Sequence, residues 1–227
     1  METFTIDSFS KFHDIVSKFE DSNFCFRGQS DSNWKLIPKI GRKEYSKLKD
    51  EKLPIDSWKR YATSHLNEKP IDDWDWLTVA QHYGLATRLL DWTKNPLVAL
   101  FFSTIDFDTK RDGAVFILNN KDEAINTEKV NPFNINFSGV YYPKGIATRV
   151  ISQRSIFTVS HKPSLSFEDL QSKYEIKKII ITGNAKSKIQ KSLELYNINE
   201  YSIYQDLDNL SIYLNRFIRK DNLNKIK

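Results

Sequence analysis

The sequence predicts an α+β fold, a single compact domain with a mixed or antiparallel sheet at its core and helices flanking it. Short strand-like runs at 24–26, 112–118 and 176–182 alternate with segments of helical periodicity. Hydrophobic residues make up 40% of the chain and aromatic residues 13%, enough for a substantial core. No internal repeat or linker interrupts the 227 residues, so we predict one domain over 1–227.

The N-terminal part predicts a helix and then a strand. Four apolar residues recur at helical spacing within 8–19, and Asp7 or Ser8 is suited to cap the helix. The apolar run "FCF" follows a turn-like "EDSN" and favours a strand that ends at Arg27.

The middle of the chain predicts helices around a second strand. Residues 43–69 favour helix, and Asp72 or Asp73 caps a further helix that Gly84 terminates. "LATRLLDWT" is strand-like. Asn95 followed by Pro96 is a strong helix start, and the apolar "NPLVALFFSTI" predicts a buried helix.

Strands and helices also alternate in the C-terminal part. Residues 112–118 predict a turn and a buried strand, 119–146 loops with short strands, and 176–182 a clear strand. A strand is also expected within "ATRVISQRSIFTVS". "AKSKIQKSLELY" and "DLDNLSIYLNRFIRK" are amphipathic helices, the latter capped by Asp206. Residues 216–227 form a basic tail, which is interpreted as a solvated end.

Composition restricts the classes of function. The 34 basic and 29 acidic residues leave a net charge of +5, which permits an anionic partner without requiring one. The single cysteine, Cys25, cannot form an internal disulfide and is typical of a buried apolar position, which favours a reducing, cytoplasmic location. No signal peptide, membrane span or zinc pattern is evident.

The stretch "FRGQ" raises the first functional hypothesis. Arg27 is expected at a strand end beside open backbone, where a guanidinium can bind phosphate or carboxylate oxygens. Gly28 permits a positive φ or the close approach of another group. The alternative is an Arg27 that pairs with an internal carboxylate.

Polar residues that could take part in catalysis or binding are concentrated among apolar residues between 81 and 103. Buried polar groups are costly unless paired, so either a hydrogen-bond network or a site must account for them.

"FRGQ", "QHYG-x-x-TRLLDWT-x-NP-x-x-AL-F" and "DGAVF" resemble the FRG domain family, and the resemblance extends over about residues 8–215. Family members often have Pro before the final Asp-Leu. Here Gln205 stands, a departure expected to affect a turn.

The order of the predicted strands and helices, from the strand at Arg27 to the strand at 112–118, also resembles that of the ADP-ribosyltransferases, which use NAD as substrate. The resemblance implies that Arg27, with Gly28 and Gln29, holds NAD, and that Thr87 or Thr93 fills a Ser/Thr position. Gln153 stands where a catalytic Glu is expected. Three carboxylates are possible substitutes for it: Asp91, Glu175 and Glu200.

Four further residues carry alternatives that the sequence leaves open. Arg88 and Asp91 either form a buried ion pair or belong to a polarised cluster at a ligand pocket. His82 is a general base, a hydrogen-bond partner of a ribose hydroxyl, or a core histidine at a helix end. Tyr83 either stacks on a base or nicotinamide ring or packs in the core.

Three functions follow as hypotheses. The first is an NAD-dependent ADP-ribosyltransferase-like enzyme, such as a toxin or phage-defence effector, that modifies nucleic acid or protein. The second is a non-catalytic module that binds a nucleotide or nucleic acid. A nuclease or hydrolase that uses His82 and Asp91 ranks last. Neither a metal nor a membrane partner is expected.

Overall fold

The computed structural model describes residues 1–21, 23–45, 47–48, 50–66, 68–106, 108–121, 124–146, 148–170 and 174–219. In these residues seven strands form one mixed sheet. The strands are Thr3–Ile6 (β1), Phe24–Gln29 (β2), Leu90–Thr93 (β3), Gly113–Asn119 (β4), Gly139–Tyr141 (β5), Ser155–Val159 (β6) and Glu175–Ile181 (β7). The predicted α+β class is confirmed.

Eight helices lie in the same described ranges. They are Phe9–Val16 (α1), Lys52–Ala62 (α2), Asp73–His82 (α3), Pro96–Thr104 (α4), Thr148–Ser152 (α5), Lys186–Leu195 (α6), Glu200–Tyr204 (α7) and Leu207–Arg219 (α8). The predicted caps Ser8, Asp72 and Asn95 each accept a backbone N–H of their helix. Of the predicted basic tail, 216–219 belong to α8, and 220–227 lie outside the described residues.

The sheet has the order β1-β7-β4-β2-β3-β6-β5, in which only β1 and β7 pair in parallel. The β4 strand is buried along its whole length and pairs with β2 over six residues, from Phe24–Asn119 to Gln29–Ala114. By contrast, β2 and β3 share the single pair Phe26–Thr93. The two halves of the sheet are therefore joined by a short ladder at its centre.

One expectation about β2 is wrong. Arg27 does not end the strand, because β2 continues through Gly28 to Gln29. The reason is tertiary: β4 supplies a hydrogen-bonding partner along the whole of β2. On its other side, pairing with β3 stops one residue before Arg27, so the open backbone lies toward β3.

Helices α3 and α4 cover the same face of the sheet. Residues opposite each other in an antiparallel ladder project from one face, and alternate residues share a face. The pairs Phe26–Thr93 and Thr93–Ser155 therefore place Gly28, Asp91 and Phe157 on that face as well. Phe26 packs with α4, and Phe157 packs with Trp74 and Leu77 of α3. The opposite face packs Cys25 and Trp92 against Leu36 and Phe167.

Candidate functional site

A cavity of about 260 Å³ lies between α3 and α4, above β3. It is situated where the β2–β3 ladder is short, and α5 and α7 complete its wall. Its lining combines polar and aromatic side chains: Phe26, Arg27, Gly28, Thr78, Gln81, His82, Asp91, Trp92, Thr93, Val98, Phe102, Val150, Gln153, Ser155, Phe157 and Tyr204. Six of the ten residues predicted for the site line this cavity, namely Arg27, Gly28, His82, Asp91, Thr93 and Gln153.

The local fold of "QHYGLATRLLD" brings Gln81 and Asp91 together although they are ten residues apart. The α3 helix ends at His82, and Gly84 has a φ of +85°, a conformation that glycine adopts at little cost. The chain then turns back and enters β3 at Leu90. The end of the helix and the strand that follows it thus form two adjacent walls of the cavity.

Asp91 is held in place by an ordered set of hydrogen bonds. Gln81 Nε2 donates to both carboxylate oxygens, at 3.1 Å to Oδ1 and 3.0 Å to Oδ2. Thr87 Oγ1 donates to Gln81 Oε1 at 2.6 Å and accepts the Leu89 N–H at 3.2 Å. These contacts assign the Gln81 amide oxygen and nitrogen, since the oxygen accepts while the nitrogen points to Asp91.

Arg27 contacts Asp91 from the other side. Its Nη1 donates to the Asp91 backbone carbonyl at 2.7 Å and lies 3.6 Å from Oδ2 of the carboxylate. The Arg27 side chain is 13% exposed, whereas that of Asp91 is 53% exposed. Burial lowers the pKa of Arg27, and the nearby Asp91 carboxylate opposes this shift. The Nε of Arg27 is buried and has no hydrogen-bond partner among the described residues.

Gly28 allows α4 to pack on the sheet. A Cβ at this position would lie 1.9 Å from the Ala99 carbonyl oxygen. A Cβ on Gly113 would similarly lie 2.0 Å from the Ser103 carbonyl oxygen. The group whose close approach Gly28 permits is therefore the backbone of α4. The glycine of "FRGQ" thus positions the helix that forms one wall of the cavity.

Thr93 and Gln153 connect β3 to the segment before β6. Thr93 Oγ1 donates to the Gln153 carbonyl at 2.5 Å and accepts the Asn95 N–H at 3.0 Å. Gln153 was expected within a strand, but it lies between α5 and β6, after which Arg154 turns the chain with a φ of 47°. The Gln153 side-chain amide donates toward the Ile203 carbonyl at 3.5 Å.

Four predicted residues lie outside the cavity lining. Arg88 is buried and pairs with Glu51 while also donating to the Pro132 carbonyl, which agrees with the ion-pair alternative but with Glu51 as partner in place of Asp91. Gln29 is buried at the end of β2, and Thr87 acts through Gln81. Tyr83 is exposed and lines a neighbouring cavity.

Asp91 is the one of the three substitute carboxylates that lines the cavity. Glu175 begins β7 and pairs with Lys177, and Glu200 begins α7 and pairs with Arg216. Sequence reasoning missed Thr78, Ser155 and Tyr204 as lining residues. The alternation of β6 could have indicated Ser155, which shares a face with Phe157. For Thr78 and Tyr204 the sequence carries no such signal.

Among the comparisons with known proteins, the model of the FRG domain matches residues 22–112, and this match supports the resemblance to the FRG domain family. This range contains Arg27, Gln81, His82 and Asp91, whereas α5, β6 and α7 lie beyond it. No curated protein and no solved structure matches the chain.

In the part of the chain that the structure describes, no group of three or more His, Cys, Asp or Glu side chains is arranged to hold a metal ion. None of the helices in that part of the chain combines the length and apolar character needed to cross a membrane.

Proposed function

We propose that the cavity binds the nicotinamide riboside part of NAD and that the protein is an ADP-ribosyltransferase-like enzyme. The observation that carries this proposal is the Asp91 carboxylate, which is half exposed in the cavity and oriented by Gln81 and Arg27. Loss of nicotinamide leaves positive charge on the ribose. A fixed carboxylate close to that charge lowers the barrier, because it needs no reorganisation during the reaction.

Each of the surrounding residues has a role in this proposal. Asp91 accepts a ribose hydroxyl and stabilises the developing charge. Gln81 and Arg27 are positioning residues for Asp91, and the Arg27 guanidinium supplies positive charge near the phosphates. As the glycosidic C–N bond breaks, its electron pair leaves with nicotinamide. A nucleophile of the target bonds to the same carbon, and His82 accepts the proton from that nucleophile.

The target that we propose is a macromolecule, either nucleic acid or protein. The net charge of +5 favours an anionic target, because it raises the rate of encounter with one.

Nicotinamide release tests the proposal. Purified protein is incubated with NAD and a mixture of lysate protein, RNA and DNA, while released nicotinamide and transferred ADP-ribose are measured. We expect Asp91→Asn to lower the rate by about 100-fold or more. The matched control is Asp169→Asn, since Asp169 is similarly exposed and pairs with Lys35 on the surface. Wild-type protein that neither binds nor consumes NAD would overturn the proposal.

A non-catalytic nucleotide-binding or nucleic-acid-binding module is the second candidate. This candidate is favoured by the hydrogen bonds that Asp91 already makes, since both of its carboxylate oxygens accept from Gln81. A carboxylate held in this way can fix a sugar without promoting reaction. This candidate predicts salt-sensitive binding with no nicotinamide release, and the Asp91→Asn variant would then change affinity alone.

A further inference from the structure

A second cavity of about 430 Å³ adjoins the first. Its lining includes two exposed apolar side chains, Tyr83 and Ile151, together with His65 and Gln205. Tyr83 is 62% exposed. A large aromatic side chain that is exposed within a concave surface is suited to contact with a ligand.

Three elements, α3, α5 and α7, either contribute to the lining of both cavities or line the first and are followed directly by a residue that lines the second. His82 lines both of them. At the end of α3, His82 is followed by Tyr83 of the second cavity. In α5, Val150 lines the first cavity and Ile151 the second. At the end of α7, Tyr204 lines the first cavity and Gln205 the second. The cavities are therefore adjacent parts of one cleft that passes over His82.

The volumes suggest a division of the ligand between the two parts. Pockets for small molecules usually measure about 300–1,000 Å³. The first cavity, at about 260 Å³, is too small for a whole dinucleotide but suits a nucleoside-sized part of one. The second, at about 430 Å³, provides room for another.

The Tyr83 ring is held in position by its neighbours. It meets the His82 ring edge-on, with the ring centroids 4.7 Å apart at 89°. The Trp58 ring lies 6.2 Å away at 35°. A ring fixed in this way loses little freedom when a planar group stacks on it, and such stacking does not depend on the identity of the base.

We infer that the second cavity is the subsite for the adenine base of the dinucleotide, with Tyr83 as the stacking platform. This inference rests on the proposed function. It assigns the ribose next to nicotinamide to the cavity at Asp91, and the adenosine half to the cavity at Tyr83. His82 lies between the two halves.

Calorimetric titration with NAD and with nicotinamide mononucleotide, which lacks the adenosine half, tests the assignment. We expect Tyr83→Ala to weaken NAD binding about tenfold and to leave binding of the mononucleotide unchanged. Tyr83→Phe keeps the ring and should retain the wild-type affinity. Tyr196→Ala is the matched control, since Tyr196 is 59% exposed and lies at the end of α6.

The outcomes separate the two proposals. If Tyr83→Ala leaves NAD binding unchanged, or weakens both ligands equally, the adenine subsite is wrong while the proposed function stands. If wild-type protein binds neither ligand, the proposed function fails and the subsite assignment fails with it.

Discussion

Gly28 and Arg27 are neighbours that act on opposite sides of β2. Gly28 faces α4, whose backbone leaves no room for a side chain, and Arg27 reaches Asp91 where the β2–β3 ladder has stopped. Gly28 therefore allows α4 to pack on the sheet, and Arg27 next to it positions the Asp91 carboxylate. Substitution of either residue is expected to change the shape of the cavity, but through different contacts.

Gly28→Ala is expected to destabilise the protein by roughly 1–3 kcal/mol or more, since the added methyl group would overlap the α4 backbone. Urea-induced unfolding followed by fluorescence measures the change in the free energy of unfolding. Gly145→Ala is the control, because a Cβ there meets only Ile151 side-chain atoms at 3.4 Å. Equal stability of both variants would contradict the packing argument.

The Thr87–Gln81–Asp91 hydrogen bonds show how residues that do not react can determine a site. Thr87 is fully buried and does not line the cavity, but its hydroxyl donates to the Gln81 amide oxygen and so holds the amide whose nitrogen donates to Asp91. Thr87 was predicted as a contact to the ligand. Its contacts assign it to the support of the site.

At the scale of single elements, α4 forms one wall of the cavity, with Val98 and Phe102 in its lining. Its start is defined by Asn95, whose side chain accepts the Leu97 N–H at 3.0 Å, and by Pro96 in the first turn. Thr93, just before it, lines the cavity and accepts the Asn95 N–H. The end of β3 and the start of α4 are thus a single hydrogen-bonded unit at the cavity wall.

Asn95→Ala is expected to lower the free energy of unfolding by about 1 kcal/mol, because the Leu97 N–H loses its partner. Thermal unfolding measured by circular dichroism reports the loss. Asn95→Ser retains a capping oxygen and should be close to wild type. A result in which Ala and Ser variants are equally stable would show that the cap contributes nothing.

For the molecule as a whole, two buried acids contribute to the response to alkaline pH. Burial raises the pKa of Cys25 from 9.0 to about 12. Burial also raises the pKa of Tyr141, from 10.0 to about 12. Above pH 9 the unfolded chain loses protons that the folded protein retains. The unfolded state then binds fewer protons, so the free energy of unfolding falls as pH rises.

We expect this fall between pH 9 and pH 12, with the thiol contributing up to about 1.4 kcal/mol for each pH unit. Urea unfolding at pH 7, 9 and 10 measures it. Cys25→Ala removes the thiol, and its slope above pH 9 should be shallower than that of wild type. Identical slopes would mean that Cys25 is not buried as the protonated thiol.

The sequence by itself determined the α+β class, the capped starts of α1, α3 and α4, and the buried strand β4. These features depend on local chemistry, since capping residues, glycine and the period of apolar residues act within a few positions of the chain. It also indicated six of the residues that line the first cavity: His82, Asp91 and Thr93 from the polar residues in an apolar frame, Arg27 and Gly28 from "FRGQ", and Gln153 from the resemblance to the ADP-ribosyltransferases.

Tertiary structure alone decided the rest. It extended β2 beyond Arg27, paired Arg88 with Glu51, and selected Asp91 over Glu175 and Glu200 as the carboxylate in the cavity. It also brought Tyr204 to the cavity from more than a hundred residues away. Such contacts depend on which strands pair and which helices cover them, and long-range pairing of that kind leaves no periodic signal in the chain.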